Sequence, residues 1–234
     1  MICKIANLLV DVPAVGDLVP RCREYLTDQS AQADIILHAE SFKLERWKHF
    51  DDDFAIYIES GIRFHHNLLD FQGLALHASA VELNGKAYLF SAPSGTGKST
   101  HTRLWQTTFG EQARVFNDDK PVLRRINGIW YAYGTPWSGH GPNINMKVPL
   151  GGICFLKQAS ENKIRRLSQP EAIQKIIWQT IKKFKDVERL DLMLSHVEKI
   201  VREIPVFELE NRPEPEAARL SYETMRKAAE EMGL

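Results

Sequence analysis

One stretch restricts this chain more than any other: Ser91-Ala92-Pro93-Ser94-Gly95-Thr96-Gly97-Lys98-Ser99-Thr100. Ala87-Tyr88-Leu89-Phe90 before it reads as a strand, and Thr102-Arg103-Leu104-Trp105 after it as a helix. A glycine-rich turn between strand and helix that ends in Gly-Lys-Ser is the pattern of a phosphate-binding loop, or P-loop. Its glycines let backbone N–H groups converge on an anion, and its lysine reaches the β- and γ-phosphates. Its serine hydroxyl can sit on Mg²⁺, and the following helix presents its positive end. The expected nucleotide cradle is Ser94, Gly95, Thr96, Gly97, Lys98, Ser99 and Thr100, with Ser99 as a metal ligand. Ala92 stands where the pattern has its first glycine. The competing reading is a Gly-Ser surface turn that carries a lysine; it leaves the flanking strand and helix unexplained.

The residues before the loop set an unusual context for it. Leu74 to Leu83 alternates between large and small residues and reads as a strand, and Asn84-Gly85 separates it from the strand beginning at Lys86. Asn-Gly between two apolar runs signals a tight hairpin. The strand feeding the loop is therefore expected to pair antiparallel with its predecessor, whereas the common P-loop nucleotidases place it in a parallel sheet reached through crossovers.

After the loop, Arg114-Val115-Phe116-Asn117-Asp118-Asp119 reads as a short strand ending in two carboxylates, 19 residues beyond Ser99. A strand ending in Asp beside a phosphate loop is where a Mg²⁺-holding aspartate is expected. Taken alone, Asn-Asp-Asp-Lys-Pro also has the composition of a turn. A second Asn-Gly hairpin follows at Asn127-Gly128. Residues 134–149, rich in glycine and proline, read as an irregular binding loop or a poorly ordered one. Arg124, Arg125, His140 and Lys147 could line a phosphate or acceptor site; each taken singly reads as a solvated surface residue.

The remaining chain reads as support. Residues 2–11 read as a first strand, 16–25 as a short helix, 34–39 as a strand and 53–69 as a helix facing inward through Phe54, Ile58, Ile62 and Leu69. The acidic run Asp51-Asp52-Asp53 suits a helix start, with a metal site as the alternative. Gly151 to Leu156 reads as a strand buried on both faces. Ser168 with Glu171 forms a capping box with Pro170 in the first turn, opening a helix that buries Ile173, Ile176, Ile177 and Ile181. A helix over 187–201 shows Leu190, Leu194, Val197 and Val201 on one side. A strand over 205–209 and a helix over 213–232 close the chain.

Composition sets outer limits. With 234 residues, 44% apolar and 26% charged and no net charge, the sequence suits one α/β domain, with a core at 72–160 and helical support at 168–234. Zero net charge gives no pull toward nucleic acid or anionic membrane. No apolar run is long enough for a transmembrane helix, and the first residues do not read as a signal peptide. Three scattered cysteines, Cys3, Cys22 and Cys154, fit neither zinc nor a disulfide framework, and suit a reducing cytoplasm.

His77-Ala78-Ser79-Ala80-Val81, the Asn84-Gly85 hairpin, Ser94-Gly95-Thr96-Gly97-Lys98-Ser99 and Asn117-Asp118-Asp119 together resemble the core of HPr kinase/phosphorylase and the nucleotide site of phosphoenolpyruvate carboxykinase. The likeness covers about 45 residues, Leu76 to Lys120. The rest, including Pro136-Trp137 and Arg165-Arg166-Leu167-Ser168, resembles small HPr-kinase-like proteins, some encoded beside peptide-modifying enzymes in bacteria. The resemblance implies a mixed, largely antiparallel α/β sheet with the P-loop after an antiparallel hairpin. It implies a kinase using ATP and Mg²⁺, with a catalytic set of His77, Lys98, Asp118 and Asp119. His77 matches a histidine near the reacting phosphate, and Lys98 and Ser99 match the loop lysine and Mg²⁺ ligand. The two aspartates match a pair that divides metal binding and proton acceptance, without indicating which does which. The acceptor is expected to be a hydroxyl of a peptide, a protein or a small molecule such as an amino acid or sugar. A nucleotide-binding regulator without transfer activity is a further reading, and an oligomer is compatible with all of them. The carboxykinase's large substrate-binding domain and the separate N-terminal domain of full-length HPr kinases have no counterpart here.

Overall fold

The computed structural model describes residues 1–29, 31–42, 44–139, 141–180 and 186–234. His140 and Ile181, expected as a candidate site residue and a core residue, lie outside the described residues.

The chain opens as a hairpin and not as the single strand expected over 2–11. β1 (Ile2–Ile5) and β2 (Leu8–Asp11) pair antiparallel around Ala6-Asn7. Both turn residues have positive φ, 52° and 60°, which a tight two-residue turn requires. Alanine carries no sequence signal for such a turn, so the pattern reads as continuous. α1 (Leu18–Arg21) follows, and β3 (Ile35–Ile36) adds parallel to β2. α2 (Asp52–Leu68) starts where the acidic run predicts, with Asp51 Oδ1 accepting from the Phe54 N–H at 2.9 Å. The acidic run is thus a helix cap. Among the described residues no group of three His, Cys, Asp or Glu side chains is placed to hold a metal.

The inward face of α2 differs from the expected one. Tyr57, Ser60, Gly61, Phe64 and Leu68 are buried, while Phe54, Ile58 and Ile62 are half-buried. Trp137 explains the rotation. Its ring stacks on Phe64 with centroids 4.7 Å apart, and its Nε1–H donates to Ser60 Oγ at 3.0 Å. A Cβ on Gly61 would stand 2.8 Å from the same indole, so the small residues make room for the ring.

The expected strand over 74–83 divides at Leu76-His77 into β4 (Gly73–Ala75) and β5 (Ala78–Leu83). Then come β6 (Lys86–Ser91), α3 (Lys98–Phe109), β7 (Arg114–Asp119), β8 (Val122–Ile126), β9 (Ile129–Tyr133) and β10 (Lys147–Gln158). β11 (Lys163–Arg166), α4 (Gln169–Gln179), α5 (Val187–Glu203), β12 (Val206–Asn211) and α6 (Pro215–Glu231) complete the order. The main sheet runs β4-β8-β9-β10-β6-β5-β7, with β12 beside β10 and β11 beside β12. β10 is its spine. It begins at Lys147, inside the stretch expected to be irregular, and pairs antiparallel with β9 before running parallel to β6 and β12. The other pairings in this sheet are antiparallel. The sheet is therefore mixed and largely antiparallel, as expected. Asn84-Gly85 and Asn127-Gly128 both turn with positive φ.

Alternation along the central strands feeds two helical layers. Ala87, Leu89, Ile153 and Phe155 meet Ile176 of α4 and Met193, Val197 and Ile200 of α5. Tyr88, Phe90, Cys154 and Leu156 meet Trp105 of α3 and Met225 of α6. α5 turns Met193, His196, Val197 and Ile200 inward, and Leu190, expected inside, is exposed. The Ser168–Glu171 capping box forms, with the Ser168 N–H donating to Glu171 Oε2 at 2.9 Å. None of the described helices is long and apolar enough to cross a membrane.

Trp105 joins α3 to α6: it is fully buried, packs edge-on to Phe90 and Tyr222, and donates to Ser221 Oγ at 3.0 Å. Trp105→Ala is expected to cost about 3–5 kcal/mol, the range for removing a buried tryptophan. Urea unfolding checks it, and a loss below about 1 kcal/mol would show that α6 docks without this ring.

Candidate functional site

Strand register gathers the candidate residues. Ala78 lies opposite Ser91 of β6 and opposite Asp119 of β7. β6 and β7 therefore run the same way on either side of β5, and both end at one sheet edge. The glycine-rich turn leaves β6 there, Asp118 and Asp119 end β7 there, and His77 stands immediately before β5.

The turn needs glycine at two places. Gly95 and Gly97 have φ of 78° and 109°, a region other residues enter at a cost. Ala92 meets no such demand. Its side chain is 1% exposed within the core beneath α3 and α6, and its carbonyl accepts from Lys98 Nζ at 3.1 Å. The departure from the usual glycine is thus accommodated. Lys98 opens α3 and is 9% exposed. Burial pulls its pKa below the usual lysine value, against the opposing fields of Asp119 and Asp118.

A cavity of about 510 Å³ opens at this edge. Of the expected residues, His77, Ser94, Gly95, Gly97, Lys98, Ser99, Thr100, Asp118 and Asp119 line it. Thr96 does not; its N–H donates to Pro93 O at 3.2 Å within the turn. Ser99 Oγ donates to Asp118 Oδ1 at 2.9 Å. Asp119 has a different environment, with Oδ1 3.3 Å from His77 Nε2 and Oδ2 accepting from Lys120 Nζ at 2.8 Å. His77 is half-buried. Burial, and next the nearby Lys98, push its pKa below the usual histidine value, while a hydrogen bond with Gln179 and the Asp119 carboxylate oppose them. The Ser99 hydroxyl and the Asp118 carboxylate are hard oxygen donors side by side. They fit Mg²⁺, which is commonly bound through one or two carboxylates with the phosphates completing the shell.

Arg103, Gly139 and Gly141 also line the cavity, and Lys120 pairs with Asp119. Arg103 had a legible signal, because it sits four residues beyond Ser99 on the same helical face. Lys120 adjoins the aspartates in sequence. No spacing marks the two glycines. They come from the loop before β10, which is a built wall: Arg21 donates to the carbonyls of Ser138 (3.1 Å) and Gly139 (3.0 Å), and Tyr25 OH to Asn143 Oδ1 (2.6 Å). The cationic candidates from the sequence are placed elsewhere. Arg124 donates to the carbonyls of Phe71 and Ala6, Arg125 pairs with Glu203, and Lys147 lies over the Tyr131 ring. Each is consumed by packing, and none lines the cavity.

The fold is thus a mixed α/β one with a glycine-lined cavity beside two carboxylates at a sheet edge. Residues 50–212, more than half of the chain, match the family described as SynChlorMet cassette protein ScmC, and the chain belongs to that family. No curated protein matches the sequence. Among solved structures, the HPr(Ser) kinase/phosphatase from Coxiella burnetii superposes with a TM-score of 0.41 at 11% identity, over 68% of this chain and 92% of that one. So loose a superposition carries no argument about function.

The two wall glycines differ in how closely they approach the aspartates. A Cβ on Gly141 would stand 2.4 Å from Asp118 Cβ, whereas one on Gly139 would meet nothing closer than 3.4 Å. Gly141→Ala is therefore expected to displace Asp118 or the loop and lower thermal stability, while Gly139→Ala melts near wild type. Equal melting of the two variants would contradict the crowding at Gly141.

Proposed function

We propose that this chain is an ATP-dependent kinase that transfers the γ-phosphoryl group to a hydroxyl, a serine of a peptide or protein. The observation that carries the reading is the Ser99–Asp118 contact, formed inside a cavity that also presents Lys98 and Asp119. The acceptor class draws support from the resemblance of the His77, phosphate-loop and Asp118-Asp119 motifs to HPr kinase/phosphorylase.

The two aspartates have separable roles. Asp118, hydrogen-bonded to Ser99, is the partner of that serine in holding Mg²⁺. When bound, Mg²⁺ neutralises charge on the β- and γ-phosphates. Lys98, already directed by the Ala92 carbonyl, meets the same phosphates, and the amides of Gly95 and Gly97 wrap them. Asp119 takes the proton of the acceptor hydroxyl as its oxygen bonds to phosphorus and the bond from phosphorus to the ADP oxygen breaks. His77 stands against Asp119 and shares that proton. Positioning and charge neutralisation are most of what such a transfer demands. The whole chain works as one unit in this reading, with residues 72–160 carrying the site. A cytoplasmic setting draws support from the three cysteines, each buried and free.

Lys98→Ala is expected to reduce label transfer from [γ-³²P]ATP to proteins of a cell lysate by about 100-fold or more, the scale of losing a preorganised charge at the reacting group. Asp119→Asn should bind Mg²⁺–ATP normally and lose transfer by about 100-fold or more, as for a missing general base. Asp118→Asn should lose the Mg²⁺ dependence of nucleotide binding. If wild type labels nothing and both aspartate variants bind Mg²⁺–ATP as wild type does, the kinase reading fails and a nucleotide-binding regulator remains.

A further inference from the structure

Gln179 carries no sequence motif, lies 102 residues from His77, and yet grips it twice. It is the last residue of α4, where helix carbonyls lack intrahelical partners. Its carbonyl accepts from the His77 N–H at 2.8 Å, and its side-chain Oε1 lies 3.0 Å from His77 Nδ1. The next residue, Thr180, forms an isolated antiparallel bridge with Leu76 and donates its hydroxyl to Ile176 O at 2.8 Å. The end of α4 is thus stitched to the two residues that separate β4 from β5. On the other side, the His77 carbonyl accepts from Ser91 Oγ at 2.7 Å. Backbone contacts therefore hold the His77 main chain, and the Gln179 side chain is left to act on the ring.

Gln179 Oε1 and Asp119 Oδ1 both only accept hydrogen bonds, but the contact at Nδ1, 3.0 Å, has hydrogen-bond geometry and the contact at Nε2 is only an ion-pair approach, so the single hydrogen of the neutral ring is assigned to Nδ1. Nε2 is then the ring atom turned toward Asp119 Oδ1, 3.3 Å away. We propose that Gln179 is a positioning residue that fixes the ring orientation and tautomer of His77, keeping the hydrogen on Nδ1 and presenting Nε2 to Asp119 and the reacting groups. Its catalytic consequence rests on the kinase reading; the tautomer itself does not. The second nitrogen's partner commonly decides which imidazole atom does the chemistry, and here that partner comes from the helical layer, far along the chain.

The test uses the full chain labelled with ¹⁵N-histidine, with the His77 signals identified by their absence in His77→Gln. Long-range ¹H–¹⁵N spectra of wild type should show the Nδ1–H form. Gln179→Glu keeps an acceptor oxygen and should keep that form. Gln179→Met matches the side chain in size without the amide oxygen, and should shift His77 toward Nε2–H with the thermal melt little changed. ATP turnover, read as ADP release, should fall about tenfold in Gln179→Met and recover in Gln179→Glu, a part of what a positioned acid or base contributes. An unchanged His77 spectrum in Gln179→Met overturns the proposal. So does a wild-type spectrum of the Nε2–H form, which would mean that the amide nitrogen faces the ring. If the tautomer follows Gln179 as stated while wild type turns over no ATP, the positioning role stands and the kinase reading falls.

Discussion

The pairing of Ala78 with Ser91 on one side and Asp119 on the other is the constraint from which the site follows. A strand between two antiparallel neighbours makes those neighbours parallel to each other, so their ends meet at the same edge. The Asn84-Gly85 turn sets the register of the first pairing, from Leu83 opposite Lys86 to Ala78 opposite Ser91. A slip of one residue would move the aspartates by about 3.3 Å and turn their side chains to the other face of the sheet. The Ser99–Asp118 contact would then be lost. This register places the oxygen donors of β7 beside the glycine turn.

Everything else in the fold holds that edge in place from outside. β10 gives β6 a parallel partner and keeps the strand that feeds the turn buried on both faces. α6 secures α3 through Trp105 and Ser221, so the helix that begins with Lys98 and Ser99 has a fixed axis. The N-terminal hairpin and α1 reach across to the wall loop through Arg21 and Tyr25. α4 reaches the site from behind and ends on His77. The buried lysine beside two carboxylates is tolerable because its nitrogen also has the Ala92 carbonyl, and unpaired charge in such a place would be expensive.

What could be read from sequence was whatever depends on local chemistry. The Asn-Gly turns, the glycine turn between β6 and α3, the Ser168–Glu171 box and the strand ending in the aspartates all declare their local geometry within a few residues. The Ala6-Asn7 turn did not, because alanine at positive φ is held by its surroundings and not by its own preference. The faces of α2 and α5 also misread, since Trp137 and the sheet decide which stripe turns inward. Arg124 and Arg125 looked like anion ligands by charge, but their carbonyl and carboxylate partners lie far away in sequence. Gly139 and Gly141 reach the cavity, and Gln179 reaches His77, only through tertiary folding, and nothing near them in the chain points to it. Ala92 is the opposite case: an apparent defect in a motif that becomes harmless once its φ and its buried methyl group are known.

In the proposed function the glycine turn, Lys98, Ser99 and Asp118 form one site for a nucleotide with its Mg²⁺. Isothermal titration of ATP into the wild-type chain, with Mg²⁺ and then with EDTA, tests it most directly. One ATP per chain is expected, bound about tenfold or more tightly with Mg²⁺, a difference of ~1.4 kcal/mol or more. Absence of binding, or equal affinity in the two conditions, would contradict it.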